Sequence, residues 1–280
     1  MTITAGMDLG TGTIKTVLFN IEGDQTQWLA RRTDRIRQRD PFDLAEKGYD
    51  IVLKDAGLSR DDVQYVATTG DGETIPFRTG HFYSMTTHAR GAIYLEPEAR
   101  SVLDIGALHG RAVKMDERGK VLGYRMTSQC ASGSGQFLEN ISRYLGIAQD
   151  EIGTLSQQAD DPEIVSSICA VLAETDVINM VSRGISASNI LKGIHLSMAG
   201  RLAKLLRVIK VREGITLATG GLALDEGLMA ALNESLVKQK VSIEARSHPD
   251  SIYAGAIGAA IWGAFRYEKL QQQEPLARAC

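Results

Sequence analysis

The sequence predicts an α/β protein built from two related lobes. Strand-like apolar segments alternate with segments of helical spacing, and each half of the chain opens on a strand that ends in Asp-x-Gly. These two turns are Asp8-Leu9-Gly10 and Asp104-Ile105-Gly106. VATTG at 66–70 and LATGG at 217–221 form a second, looser matching pair. With 280 residues, 44% of them hydrophobic, the chain is long enough for two cores.

The first half is predicted to start with an antiparallel meander. Three strand-like segments are joined by short turns, and apolar residues at helical spacing follow them. A further strand then ends in a glycine turn before a second helix. The predicted elements are strands at 3–7, 14–19 and 27–31, a helix at 44–56, a strand at 63–68 and a helix at 84–95, closed by Pro97.

The pattern restarts in the second half. The predicted elements are a strand at 101–105, a hairpin over 111–126, a helix after Gly133, a helix at 173–181 and a helix opened by the glycines of LATGG. No proline- or serine-rich linker separates the halves, which predicts a packed junction near residue 97. We therefore divide the chain into an N-terminal lobe, 1–97, and a C-terminal lobe, 98–280, which contains the cysteines and the C-terminal helix.

The composition narrows the class of partner. The 31 basic and 34 acidic residues nearly balance, so we expect neither nucleic acid nor an anionic membrane as a partner. A signal peptide would need an apolar run near the N-terminus, and Asp8 interrupts that region. The longest apolar run, 254–265, is too short to span a bilayer. Three cysteines make no disulfide framework. We expect a cytoplasmic, reduced protein.

The turn DLGTGT is a candidate phosphate site. A strand that ends in aspartate and turns through glycines brings a carboxylate and bare backbone N–H groups to one edge of a sheet, which suits a magnesium-bound polyphosphate. A hairpin turn without a ligand has the same sequence pattern, but its repetition at Asp104 favours the phosphate interpretation. No G-x-x-x-x-G-K-[ST] motif is present, which excludes a P-loop enzyme. The candidate nucleotide-binding residues are Gly10, Thr11, Gly12, Thr13, Gly106, Gly220 and Gly221.

These two turns and the later LATGGLALDEG (217–227) resemble the actin, hexokinase and Hsp70 superfamily of ATPases. Its members have two duplicated ribonuclease-H-like lobes that close over ATP. In that superfamily the first aspartate holds the metal-bound nucleotide through water, and a second acidic turn helps to orient the attacking water. The resemblance implies ATP and Mg²⁺ as cofactors, the first role for Asp8 and part of the second for Asp104.

Two cysteines stand before helical segments. Cys130 precedes GSGQFLE and Cys169 precedes the helix predicted at 173–181, so both lie where a helix N-terminus favours thiolate. The alternative interpretation is that each cysteine is a small buried hydrophobic residue, which is the commoner role of an intracellular cysteine. Zinc is not indicated, because neither has a C-x-x-C partner or a histidine at ligand spacing.

The cysteine motifs SQCASGSGQFLE and CAVLAETDVI resemble one branch of the superfamily. This branch contains activators of 2-hydroxyacyl-CoA dehydratases and the ATP-hydrolysing subunits of benzoyl-CoA reductases. The resemblance implies that Cys130 and Cys169 are metal ligands: two cysteines from each of two subunits would hold one shared [4Fe-4S] cluster. The segment MTTHARGAIYLEP (85–97) is similar to the same branch, and His88 in it has either a chemical or a packing role. Cys280 fits no motif.

The second turn departs from the branch, which usually has D-I-G-G-Q-D. Here Leu108 replaces the glutamine and His109 replaces the acid. This divergence favours the shorter, D-type ATPase subunits of benzoyl-CoA reductases, which deliver low-potential electrons for aromatic ring reduction. The implied partners are a related A-type ATPase subunit in a heterodimer, catalytic acyl-CoA-binding subunits and a ferredoxin-like electron donor. Three alternatives remain open: a homodimeric 2-hydroxyacyl-CoA dehydratase activator, a small-molecule kinase with inert cysteines, and a non-hydrolysing ATP-binding regulator.

Overall fold

The structure, a computed structural model, describes residues 2–23, 25–127, 135–166, 170–212 and 214–277. The chain divides into two compact units. The first contains the chain up to Leu95, the segment Arg118–Lys120 and the chain from Tyr253 onwards; the second contains Glu96–Glu117 and Val121–Ile252. Among the described residues no helix combines the length and the apolar character needed to cross a membrane.

Both units contain strands and helices. The described strands are β1 (Thr2–Leu9), β2 (Thr13–Glu22), β3 (Gln25–Arg35), β4 (Tyr65–Gly70), β5 (Gly80–His81), β6 (Ala99–Ile105), β7 (Gly110–Met115), β8 (Val121–Met126), β9 (Ile215–Thr219) and β10 (Glu244–Arg246). The described helices are α1 (Pro41–Asp55), α2 (Ser84–Leu95), α3 (Gly135–Leu145), α4 (Ile152–Gln157), α5 (Ala170–Ser182), α6 (Ala187–Val208), α7 (Glu226–Lys238) and α8 (Ala254–Ala277). The predicted elements are present in the predicted order, whereas β5, β9, β10, α4 and α6 were not predicted.

The first unit has a mixed five-stranded sheet in the order β3-β2-β1-β4-β5. Strands β1, β2 and β3 form the predicted antiparallel meander, while β4 runs parallel to β1 and β5 runs parallel to β4. Strand β1 is buried along nearly its whole length because it lies at the centre of the sheet. Its carboxyl end, which carries Asp8, therefore meets the carboxyl end of β4 at one edge.

Helix α1 begins three residues before the predicted start. Asp40 caps it, since its side chain accepts hydrogen bonds from the N–H groups of Phe42 and Asp43 at 2.8 and 3.0 Å. Pro41 occupies the first turn, where its missing N–H costs nothing. The helix buries a stripe on the meander: Leu44, Ala45, Tyr49, Val52 and Leu53.

Helix α8 packs on the first unit, whereas the division at residue 97 assigned it to the second lobe. It lies against β1, β4 and α2. Glycine allows this close approach: a Cβ at Gly258 would lie 1.8 Å from Thr87 O, and one at Gly91 would lie 1.9 Å from Ala254 O. The two helices thus touch through their backbones, and this contact explains why the last helix belongs with the first sheet.

The second unit repeats the topology of the first. Its sheet has the order β10-β9-β6-β7-β8, in which β6, β7 and β8 are antiparallel, β9 runs parallel to β6 and β10 runs parallel to β9. Its core packs α3 to α7 against this sheet. Because strand order and directions match element for element, the internal repeat predicted from Asp-x-Gly is present in the fold.

Candidate functional site

Asp8 lies at the end of the central strand of the first sheet, with its carboxylate buried. Lys15, its partner across the antiparallel pair, places Nζ 3.7 Å from Asp8 Oδ2. His88 of α2 places Nε2 3.9 Å from the same oxygen. Both neighbours are more than nine-tenths buried, so the carboxylate is held between two nitrogen groups in a water-poor environment.

The turn that follows Asp8 is the exposed part of this site. The Gly10 N–H donates to Thr13 O at 3.0 Å, which closes the turn, and Thr11 and Gly12 are exposed. Such a turn can present backbone N–H groups and a hydroxyl to an anion. The structure places Gly10, Thr11, Gly12 and Thr13 in the turn that directly follows Asp8.

Two glycines form the walls around the Asp8 carboxylate. A Cβ at Gly255, at the start of α8, would lie 2.8 Å from both Asp8 Oδ2 and His88 Nε2. Gly70, at the end of β4, has φ +68°, and a Cβ there would lie 3.1 Å from Asp8 Oδ1. A side chain at either position would displace the carboxylate. The sequence prediction did not include them as site residues, although Gly70 ends the repeated VATTG segment.

The second turn is built in the same way around Asp104. Its carboxylate is buried at the end of β6 and accepts a hydrogen bond from Arg111 on β7, with 2.8 Å between Arg111 Nη2 and Asp104 Oδ2. The Gly106 N–H donates to His109 O at 2.9 Å, which matches the closure of the first turn. Gly220 has φ +85°, and a Cβ there would lie 2.6 Å from Asp104 Oδ1.

Each of the two turns therefore combines an aspartate, a cation across the strand pair and a nearby glycine of positive φ. The cation follows the aspartate by seven residues in both units, as Lys15 in the first and Arg111 in the second. Neither cation was predicted as a site residue, although the equal spacing in the sequence is a signal that identifies both. The distance from the cation to the carboxylate differs between the two turns. Arg111 is hydrogen-bonded to Asp104, whereas Lys15 is not hydrogen-bonded to Asp8.

The loop after β9 joins Gly220 to helix α7. Leu222 N donates to Ile105 O at 3.3 Å, which fastens the loop to the end of β6. Asp225 then caps α7, since its side chain accepts from Leu228 N at 2.9 Å. Gly221 has open space where a Cβ would lie, so its backbone is accessible from outside. The structure thus brings Gly220 beside Asp104 and leaves Gly221 open to a ligand.

The second turn is also bonded to the start of α3. Gly135 N donates to Gly106 O at 3.0 Å, and Gln136 N donates to Ala107 O at 2.9 Å. Leu108, at the tip of the turn, is 45% exposed. Two hydrogen bonds thus join the second turn to the first residues of α3.

Cys130, Cys169 and Cys280 lie outside the described residues, as does the segment 128–134. Helix α5 starts at Ala170, the residue after Cys169. Over the part of the chain that the structure describes, no group of three or more His, Cys, Asp or Glu side chains is arranged to hold a metal ion.

Two duplicated five-stranded sheets are the fold that the chain shares with solved dehydratase activators and, as fold alone, with a ROK hexokinase. The model of the BadF/BadG/BcrA/BcrD ATPase family matches residues 5–263, and the chain belongs to this family. The chain is 73% identical over 281 residues to the D-type subunit of benzoyl-CoA reductase from Thauera aromatica, with 100% of both chains covered. It is 31% identical to the activator of lactoyl-CoA dehydratase of Anaerotignum propionicum, covering 96% of this chain and 99% of that one.

Solved structures agree with this placement. The activator of the 2-hydroxyisocaproyl-CoA dehydratase from Clostridium difficile, solved with bound ADPNP, superposes with a TM-score of 0.88 at 26% identity, covering 97% of this chain and 98% of the other. A ROK hexokinase from Thermus thermophilus shares the fold alone, with a TM-score of 0.53 at 15% identity over 95% and 99% of the two chains. The predictions of fold class and family are confirmed, and the family implies ATP and Mg²⁺.

Proposed function

We propose that this chain is the ATP-hydrolysing, electron-activating subunit of a benzoyl-CoA reductase. The observation that carries the proposal is the 73% identity to the D-type subunit of a benzoyl-CoA reductase over the full length of both chains. The divergent turn with Leu108 and His109 fits the same assignment. The protein is expected to work in the cytoplasm, under reducing conditions.

The nucleotide is assigned to the two aspartate turns. Asp8 would hold the Mg²⁺-bound phosphates through water, and its burial beside an exposed turn supports this role. Lys15 and His88 would keep the carboxylate in one orientation. Asp104, hydrogen-bonded to Arg111, would orient the second turn and the attacking water. Backbone N–H groups of both turns and of the loop with Gly220 and Gly221 would contact the phosphates and the nucleoside.

Cys130 and Cys169 would supply two of the four thiolates of a [4Fe-4S] cluster. Such a cluster, held by thiolates, accepts and passes on one electron at low potential. Two cysteines are half of the required set, so a second chain must supply the others. Exposed apolar side chains directly after Cys169 support an interface there: Val171, Leu172 and Ile178 on α5 are 70%, 45% and 53% exposed.

The nucleotide and the cysteine segments would be coupled through α3. The first turn of this helix is hydrogen-bonded to Gly106 and Ala107, and the helix follows the segment of Cys130. A change of nucleotide at the second turn would thus move the start of α3 and the chain before it. The proposed partners are a related A-type ATPase subunit, the catalytic acyl-CoA-binding subunits and a ferredoxin-like electron donor.

The replacement Cys130→Ser tests this function in the assembled complex. We expect ATP-dependent reduction of benzoyl-CoA to be lost while ATP binding is retained, because the thiolate is a cluster ligand and no part of the nucleotide turns. Cys280→Ser, which changes a cysteine outside any motif, is the matched control and should behave as wild type. Ring reduction at the wild-type rate by Cys130→Ser would refute the proposal.

A further inference from the structure

A buried array of three polar side chains lies in the second unit, outside the two aspartate turns. His195 in the middle of α6 and Ser156 of α4 are fully buried, and Asp225 is the cap of α7. His195 Nδ1 lies 2.8 Å from Ser156 Oγ, and His195 Nε2 lies 3.3 Å from Asp225 Oδ2. The array therefore joins three helices through one imidazole.

The packing around this imidazole leaves no room for adjustment. A Cβ at Gly227 would lie 2.8 Å from His195 Nδ1 and from Gly153 O. A Cβ at Gly153 would lie 3.1 Å from Asp225 Oδ1. The starts of α4 and α7 thus meet at two glycines beside the ring, which fixes where Asp225 can lie.

The neighbours of the imidazole indicate which of its two nitrogens carries the proton. When the Ser156 hydroxyl donates to Nδ1, the ring proton lies on Nε2 and faces the Asp225 carboxylate. Nε2 has no partner in full hydrogen-bond geometry among the described residues, so this carboxylate is an electrostatic neighbour that a small shift would turn into a hydrogen bond. Burial raises the pKa of Asp225, but His195 and the N–H groups of Leu228 and Gly227 outweigh it and keep that pKa below its ordinary value.

Asp225 also ends the loop that starts at Gly220. The loop runs from Gly220, beside Asp104, to the helix cap, and Asp225 N donates to Leu222 O at 3.1 Å. The position of Asp225 therefore sets the position of the accessible backbone at Gly221. Helices α6 and α7 are fastened along their length as well, by Lys192–Glu234 at 3.2 Å and by Gln239 Nε2 donating to Gly200 O at 2.8 Å.

We propose that His195 is a positioning residue that ties the nucleotide loop, residues 220–225, to helix α6. Helix α6 follows α5, which starts directly after Cys169, so the array gives the loop a mechanical connection to the second cysteine segment. The first cysteine segment has its own connection through Gly106 and α3. The inference rests on the proposed function only in assigning a nucleotide to the loop.

Two amide replacements separate positioning from simple packing. His195→Gln places an amide near the position of Nε2 and can still donate to Asp225. His195→Asn places its amide near Nδ1 and can reach only Ser156. Both remove the same ring from the same buried position, so their costs in stability should be similar.

The measurement is the dissociation constant of MgATP for the full-length protein, by calorimetry, with hydrogen exchange of the peptides that cover 187–200 and 217–228. We expect His195→Asn to bind MgATP about tenfold more weakly and to lose protection of the loop, and His195→Gln to stay within about twofold of wild type. Ser156→Ala, which leaves the ring in place, should weaken binding in the same direction and serves if His195→Asn does not fold.

The outcomes are distinct. If wild type binds MgATP and neither His195→Asn nor Ser156→Ala changes its affinity or loop protection, the positioning role is wrong. Equal losses of affinity in His195→Asn and His195→Gln would also overturn it, because the amide near Nε2 would then make no difference. If wild type itself does not bind MgATP, the proposed function fails instead.

Discussion

At the scale of single residues, the two aspartates differ in how their carboxylates are engaged. Asp104 is hydrogen-bonded to Arg111 at 2.8 Å, whereas the neighbours of Asp8, Lys15 and His88, lie 3.7 and 3.9 Å from its Oδ2. A direct ion pair occupies a carboxylate that would otherwise bind a hydrated metal ion. Asp8 is therefore the better candidate for the metal-bound nucleotide, and Asp104 is better placed to hold its turn.

Replacing Asp8 tests this assignment. We expect Asp8→Asn to lower the rate of ATP hydrolysis by about 100-fold or more, because the amide keeps the shape but removes the charge that attracts Mg²⁺. Asp61→Asn is the control, since Asp61 is exposed at the start of a short helix and should leave the rate unchanged. More than half of the wild-type rate in Asp8→Asn, measured as phosphate release, would show that Asp8 has no such role.

Tyr49 gives a second prediction at this scale. It is buried and stacks on Phe77 with 5.4 Å between ring centroids, and its hydroxyl has no hydrogen-bond partner within the described part of the chain. A buried hydroxyl without a partner costs free energy, so Tyr49→Phe should leave the free energy of unfolding at pH 7 unchanged or raise it by up to about 1 kcal/mol. Chemical denaturation measures this; a loss of stability would mean that the hydroxyl is bonded.

The same residue predicts a response to alkaline pH. Burial raises the pKa of Tyr49 to about 12, above the value of about 10 in an unfolded chain. A raised pKa in the folded state stabilises the fold fully below pH ~10 and loses this contribution as the pH rises through ~12. Wild type should therefore lose stability between these values more steeply than Tyr49→Phe, and parallel slopes would contradict the prediction.

At the scale of elements, hydrophobic periodicity predicted what lies within one strand or helix but not where the last helix packs. The first meander and α2 follow from alternation and helical spacing, which depend on neighbouring residues alone. Helix α8 begins as a run of glycine, alanine and isoleucine with no polar face, so the sequence did not indicate its partner. Its packing depends on backbone contacts with α2, which bring together residues far apart in the chain.

The cations Lys15 and Arg111 were missed for a similar reason. Their roles arise from cross-strand pairing with Asp8 and Asp104, and that pairing depends on strand register. The aspartates and glycines were predicted because they lie together in short motifs. Short motifs thus predicted the aspartate and the glycines of each turn, whereas the cation of each turn became visible only in the fold.

The loop after β9 gives a prediction for a whole element. Gly220 has φ +85°, and a Cβ there would lie 2.7 Å from Ile105 O, so Gly220→Ala should lower the free energy of unfolding by about 1–3 kcal/mol. Gly221 has open space, and Gly221→Ala should change the free energy of unfolding by less than about 1 kcal/mol.

Nucleotide titration distinguishes the two roles. We expect Gly221→Ala to bind MgATP more weakly although it folds normally, because an added methyl group lies where the backbone would approach the ligand. Wild-type affinity in Gly221→Ala would show that this part of the loop does not contact the nucleotide, and normal stability in Gly220→Ala would contradict the geometry of the turn.

At the scale of the whole molecule, the duplicated units differ most in one connection. In the first unit, the connection from β3 to β4 carries the single long helix α1, whereas in the second unit α3, α4, α5 and α6 lie between β8 and β9. Both Cys130 and Cys169 fall in this enlarged connection. The two aspartate turns thus belong to the plan that the two units share, whereas Cys130 and Cys169 fall in the connection that is longer in the second unit.

The measurement that tests the central claim most directly is iron content together with native mass. The chain would be purified without oxygen, alone and after co-expression with a related A-type ATPase chain. We expect about four iron atoms per mixed pair of chains and little iron in the chain alone, because one chain supplies two of the four thiolates. An iron-loaded homodimer of the chain alone would indicate a dehydratase-type activator instead. Absence of iron from both preparations would contradict a shared cluster and leave the cysteines with a structural role.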